Sequence, residues 1–139
     1  IRLNGNMLRN SSKEFILNVM FHESIHAYIN YQCILYNTNQ IDSVTFKTKF
    51  PVIWNYKNGN NAQHIEISES YISKLKQTIS NYNVSADSLM VRAIAWVGLQ
   101  ETPAWINLAN DTIDIREKAL IAKYGTLAQM ISYGLKKCN

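Results

Sequence analysis

The sequence contains few of the residues that would define a disulfide-stabilised, membrane-spanning or nucleic-acid-binding protein. Cys33 and Cys138 are too few and too far apart for a cysteine zinc site. They either form one disulfide or remain one buried and one terminal free thiol. No apolar run reaches the roughly 18 residues that a membrane span requires. The net charge is +4 and the basic residues are scattered along the sequence. This spread argues against a dedicated nucleic-acid surface.

The composition is typical of one globular domain. Hydrophobic residues make up 47% of the 139 residues and charged residues 17%, and a chain of this length buries roughly two thirds of its unfolded surface. The chain shows no signal-peptide pattern. Because it starts at Ile1 rather than Met, we expect a processed product or a piece of a longer chain. A trimmed start favours export or the cell envelope.

The hydrophobic pattern predicts a mainly α-helical domain over residues 1–139, with at most a small β-sheet, so that an α+β fold remains the alternative. Residues 1–8 suggest an edge strand, and residues 37–62 a long functional loop. The stretch Ser11-Ser12-Lys13-Glu14 is a capping-box pattern, in which a serine oxygen and the glutamate satisfy free amides. A helix that is apolar almost all round follows from Phe15 to about Tyr36. Four further helices are predicted at about Ala62–Asn81, Ser85–Val97, Asp111 or Thr112 to Gly125, and Thr126–Leu135.

The stretch "FHESIHAY", Phe21 to Tyr28, carries the chemistry. His22 and His26 are four residues apart on a helix, so their side chains leave the same face one turn apart and can hold one metal ion. Glu23 lies beside them and can reach a metal-bound water without ligating the metal. Burial of such a motif in an apolar helix without partners would cost several kcal/mol, which favours a metal site over a polar interruption of the core.

A catalytic zinc needs a third protein ligand and an open position for water. His64 is the remaining histidine of the three in the chain and begins the inward-facing stripe of the second helix. Glu66 and Glu69 on the same helix are the alternatives. His64 could instead be a helix-start residue with no metal role.

Three further roles around the metal concern the orientation of a ligand, the stabilisation of an oxyanion and the wall of the cleft. Glu101, Asp87 or Glu69 could orient a ligand imidazole, and the sequence does not choose among them. The candidates for stabilising an oxyanion are Tyr28, Tyr56 and Tyr71, although each could simply be a core or surface aromatic. For "WVGLQETPAW", Trp96 to Trp105, a packing role is favoured over a cleft wall.

With "FHESIHAY" followed by "AQHIEISESYI", residues 1–105 of the chain resemble the SprT-like and related small HExxH zincin metallopeptidases, especially bacterial members with "HExxHAY" and a downstream "QHxxxxxxYI". The resemblance implies His22, His26 and His64 as ligands of one catalytic zinc ion and Glu23 as the catalytic acid and base. The four-cysteine ribbon that SprT proteins often carry is missing, so DNA-linked substrates are not expected. Ile29 and Gln32 stand where metzincins have glycine and histidine, which excludes that family.

These observations predict a zinc metallopeptidase that hydrolyses peptide bonds of a protein or peptide substrate through a metal-activated water, with the cleft between the motif helix and residues 37–62. One alternative is a binding module with a structural zinc or an inactive protease fold, in which a fourth protein ligand would close the site. A second alternative is a secreted effector or toxin domain that an inhibitor or immunity protein controls.

Overall fold

The architecture is described by a computed structural model that covers residues 5–55, 61–108 and 111–137. Its longest helix, Lys13–Asn37, carries the "FHESIHAY" stretch. The helix starts where the side chain of Ser12 accepts a hydrogen bond from the backbone amide of Phe15 at 3.1 Å, which satisfies one of the free amides of the first turn.

The helices follow one another through short connections. In chain order they are α1 (Gly5–Asn10), α2 (Lys13–Asn37), α3 (Ser43–Lys49), α4 (Pro51–Asn55), α5 (Ala62–Glu66), a π-helical segment (Ile67–Tyr71), α6 (Ile72–Tyr82), α7 (Ser88–Ala95), α8 (Pro103–Ile106), α9 (Thr112–Tyr124) and α10 (Leu127–Ser132). Over the described residues there is no sheet, and Ser12 and Lys137 form an isolated bridge. The prediction of a mainly α-helical fold is confirmed.

One hydrophobic core joins these helices. Helix α7 is buried over most of the stretch from Met90 to Ala95 and packs against both α6 and α9. Helix α2 contributes Phe15 and Ile29 to the same core, and α3 contributes Phe46. Burial of each such side chain contributes about 1.5–3 kcal/mol relative to exposure. None of the helices in the described parts of the chain is long and apolar enough to cross a membrane.

The start of the chain differs from the prediction. Residues 5–8 belong to helix α1 and not to a strand, while residues 1–4 lie outside the described part of the chain. The predicted capping box is confirmed for its serine, since Ser12 is the N-cap. It is wrong for its glutamate, because the Glu14 side chain turns into the core. There it accepts hydrogen bonds from Asn83 and from the backbone of Lys136.

Residues 37–62 are not mostly loop. Asp42 caps α3 by accepting from the amide of Thr45 at 2.8 Å, and α4 begins at Pro51. Proline is favoured at the first position of a helix because its fixed φ suits helical geometry and its missing N–H would have had no partner there. The proline that suggested a loop therefore marks a helix start.

Helix α2 is not packed on all sides as predicted. Its buried face includes the polar residues Asn18, His22 and Gln32. Its exposed face carries large apolar side chains that are 41–57% accessible, namely Met20, Phe21, Tyr28, Tyr31 and Ile34. The two histidines of the motif therefore lie on the inner side of the helix, while part of its apolar surface faces outward.

The predicted helix from Ala62 to Asn81 is present, but it is interrupted. Five residues, Ile67–Tyr71, adopt a π-helical turn between α5 and α6. Such a turn inserts an extra residue into the helix and shifts the direction of the side chains that follow it. The helix predicted from Asp111 or Thr112 to Gly125 is confirmed as α9. The other two are shorter than predicted; α7 is capped by Asp87 and not by Ser85, and α10 ends at Ser132.

Of the two cysteines, Cys33 lies within the described residues. Cys33 lies half-buried in α2, and burial raises the pKa of its thiol. Cys138 lies outside the described residues, so the disulfide between them stays a prediction.

Candidate metal centre

His22 and His26 face one another on the inner side of α2. The Nε2 atoms of the two rings are 3.0 Å apart. Two nitrogens bound to one tetrahedral zinc at its usual bond lengths lie about 3.3 Å apart. The helical spacing of four residues therefore provides a pair of imidazoles at close to the separation that a shared metal requires.

His64 completes the cluster from helix α5. Its ring centroid is 5.4 Å from that of His22 and 4.9 Å from that of His26. One ligand nitrogen from each of the three rings lies within 4.8 Å of the others. The structure thus brings together the three histidines that the sequence predicted, from two helices that are separated by the chain between Asn37 and Ala62.

The surroundings of His22 and His64 favour the neutral form of these two imidazoles. Burial, and then the charges of His26 and His64, lower the pKa of His22 to about 4. Burial and His26 also lower the pKa of His64, against the opposing effect of the carboxylates of Glu23 and Glu101. A neutral imidazole presents the lone pair that a metal needs, so the cluster is suited to metal binding at neutral pH.

Gln63 sets the orientation of His26. Its side-chain oxygen lies 2.6 Å from Nδ1 of His26, so Nδ1 donates a hydrogen bond to this oxygen and the lone pair of Nε2 faces the cluster. The amide nitrogen of Gln63 donates to Oδ1 of Asn30 at 2.7 Å. This hydrogen bond orients the amide so that its oxygen faces His26. Sequence reasoning considered carboxylates for this role and missed Gln63, although it directly precedes His64.

Gly98 packs directly against His22. A Cβ atom on this residue would come 3.3 Å from Cε1 of the ring, and the backbone φ of +82° lies in the region that favours glycine. Nδ1 of His22 is buried and has no hydrogen-bond partner within the described residues. Buried polar atoms are rarely left in this state. The other ring nitrogen, Nε2, is the one that faces His26, so the close packing of Gly98 holds the ring with Nε2 towards the cluster.

Glu23 lies next to the cluster and is exposed. With His22 it lines a cavity of about 120 Å³ that is bounded on the other side by Val97 and Gly98. None of the described residues of 37–62 lines this cavity, whereas the sequence predicted a cleft between the motif helix and that segment. The "WVGLQETPAW" stretch has both proposed roles, because the rings of Trp96 and Trp105 pack edge to face at 5.7 Å while Val97 and Gly98 form the cavity wall.

The competing third ligands lie elsewhere. Glu66 is fully buried, and its carboxylate accepts hydrogen bonds from the amides of Val52 and Ile53 and from the hydroxyl of Ser70. Its oxygens are therefore engaged in holding α4 against the ligand helix. Glu69 is exposed in the π-helical segment and does not belong to the cluster.

The other candidates were proposed to orient a ligand imidazole or to stabilise an oxyanion, and they lie in different places. Asp87 caps α7 by accepting from the amide of Met90, whereas Glu101 is close enough to affect the pKa of His64. Burial, then Tyr28 and Glu66, raise the pKa of Tyr71, so Tyr28 and Tyr71 are neighbours. Tyr56 lies outside the described residues.

Comparison of the chain with models of protein families, with curated proteins and with solved structures gave no match.

Proposed function

We propose that this chain is a zinc-dependent metallopeptidase in which His22, His26 and His64 hold one zinc ion. The convergence of these three imidazoles within 4.8 Å, on two different helices, is the observation that carries the proposal. Imidazole nitrogens suit zinc. Within the described residues the cluster contains three protein ligands, which is the number found in catalytic zinc sites that keep a position for water.

A bound zinc ion supplies a Lewis acid that polarises the peptide carbonyl and lowers the pKa of a water molecule towards neutrality. Glu23 accepts the proton of the attacking water and later donates it to the leaving amine nitrogen. Its exposed position in the cavity beside His22 supports this role. Gln63 holds His26 with its Nε2 towards the cluster, and Gly98 limits the movement of the His22 ring.

Replacement of Glu23 by glutamine tests the proposed chemistry. Glu23→Gln keeps the shape of the side chain and removes the proton acceptor, so we expect turnover to fall by about 10²–10⁴-fold. Zinc content per chain should not change, because Glu23 is not a ligand. The measurement is cleavage of a mixed peptide library, followed by mass spectrometry, with elemental analysis of the same samples.

Glu69→Gln is the matched control. This residue is exposed and lies outside the histidine cluster, so the variant should cleave like the wild type. Retained cleavage by Glu23→Gln would contradict the role of Glu23. Absence of cleavage by the zinc-loaded wild type over the whole library would contradict the proposed function.

A further inference from the structure

A second cavity lies beside the candidate metal centre. It has a volume of about 280 Å³ and is largely apolar, with walls formed by Phe15, Val97, Ala119 and Leu120. Arg116 and Lys123, one from each end of this stretch of α9, line the same cavity. An apolar space that carries two cations matches a group with both an apolar part and a negative charge.

Val97 connects this cavity to the catalytic residues. The same residue lines the smaller cavity that His22 and Glu23 also line. Val97 directly precedes Gly98, whose backbone packs on the His22 ring. A peptide positioned beside Glu23 would therefore need to extend only past Val97 to place a neighbouring residue in the second cavity.

The two cations have no acidic partner within the described residues. The salt bridges found there join Arg92 to Asp111 and Lys118 to Asp114. Arg116 instead lies over the ring of Trp105 at 5.5 Å, and Lys123 lies over those of Phe15 and Tyr124 at 5.9 and 4.9 Å. Ring faces restrict the position of a cation without satisfying its N–H groups, so both side chains can still bind a carboxylate.

We infer that this cavity is a substrate subsite for a peptide segment in which an apolar side chain stands next to a carboxylate. The apolar group would occupy the space between Val97 and Leu120, and the carboxylate would contact Arg116 and Lys123. The inference rests on the proposed function, since it assigns the cavity to the peptide that Glu23 acts on. The carboxylate can come from an acidic side chain or from the C-terminus of the peptide.

Binding to the inactive Glu23→Gln protein, loaded with zinc, tests the inference without relying on cleavage. The probes are a capped peptide with Phe-Glu at its centre, the same peptide with Phe-Gln, and a peptide that ends in Phe with a free carboxylate or an amide. Calorimetry should give about tenfold tighter binding for at least one acid than for its amide. The pair that shows the difference identifies the source of the carboxylate.

Removal of the cations should abolish this preference. In Arg116→Gln combined with Lys123→Gln, acid and amide should bind alike. Lys136→Gln is the matched control, because Lys136 also lies over an aromatic ring, that of Tyr82 at 5.0 Å, and does not line the cavity. In protein without these substitutions, the methyl signals of Val97 and Ala119 should shift in NMR spectra as the acidic peptide is added.

Three results would overturn the inference: equal binding of acids and amides, no saturable binding of either acid, or an equal loss with Lys136→Gln. These outcomes are separable from failure of the proposed function. Cleavage that depends on Glu23 but shows no charge preference contradicts only the subsite. Charge-dependent binding without any cleavage by the wild type contradicts the peptidase.

Discussion

Two buried polar groups on α2 differ in how their hydrogen bonds are satisfied. Glu14 is fully buried, and it accepts from Asn83 at 2.8 Å and from the backbone of Lys136 at 3.1 Å. His22 is 6% exposed, and its Nδ1 has no partner within the described residues. A buried group with its hydrogen bonds in place stabilises the fold. The His22 ring has no such partner at Nδ1, and its Nε2 faces that of His26 at 3.0 Å, where it is suited to bind an ion.

Addition of zinc should produce the largest of the expected effects, because the ion binds at the His22 cluster and not near Glu14. An ion that binds only the folded protein, at about a thousand times its Kd, stabilises it by about 4 kcal/mol. We therefore expect a large rise in Tm when zinc is added to chelator-treated wild type. His64→Ala should lose most of this rise, and Glu14→Gln should keep it. An equal rise in His64→Ala would mean that zinc binds elsewhere.

Loss of the Glu14 contacts should affect stability and not metal. Glu14→Ala leaves the side chain of Asn83 and the amide of Lys136 with fewer acceptors and creates a cavity, so the free energy of unfolding should fall by about 3 kcal/mol. Urea denaturation measures this change. Zinc content of the folded fraction should equal that of the wild type, and a parallel loss of zinc would break the distinction between the two groups.

Substitution of Gln63 should weaken zinc binding and leave the stability of the metal-free protein nearly unchanged, which is the reverse of the effect expected for Glu14→Ala. Gln63→Ala removes the acceptor that orients His26, and changes of this kind typically weaken metal binding by about 10–100-fold. Competition with a zinc chelator gives the affinity. Stability of the metal-free protein should change little, because the Gln63 side chain is half-buried and near the surface. Unchanged zinc affinity would exclude Gln63 from the site.

Acid should destabilise the metal-free protein slightly. The pKa of His22 is about 4 in the folded chain and about 6.5 when unfolded, so the unfolded state binds the proton first as the pH falls. The stability is complete above pH 6.5 and is lost progressively towards pH 4, by about 1 kcal/mol between pH 7 and 5.5. Denaturation in chelator at several pH values tests this, and a stability that rises on acidification would contradict it.

The sequence predicted the parts of this fold that periodicity and spacing encode. Helix α2, the helix beginning at Ala62 and the convergence of His64 on His22 follow from apolar patterns and from the four-residue histidine spacing. Helices α3 and α4 were missed, because each is too short for a periodic pattern and Pro51 has opposite meanings in a loop and at a helix start.

Other features of the site depend on tertiary contacts. The packing of Gly98 on His22 requires the connection after α7 to fold back onto α2. The local sequence around Gly98 does not predict this contact. The bond from His26 to Gln63 depends on how two helices cross. A glutamine before a histidine was visible as a pattern, but its role as an acceptor emerges only when the helices are packed.

The central claim is that His22, His26 and His64 bind one zinc ion and leave room for solvent. The direct measurement is elemental analysis of protein purified without added metal, combined with zinc X-ray absorption spectroscopy. We predict one zinc per chain with three imidazole nitrogens and a light-atom ligand from water. Absence of bound zinc, or a shell filled by four protein ligands, would contradict the account.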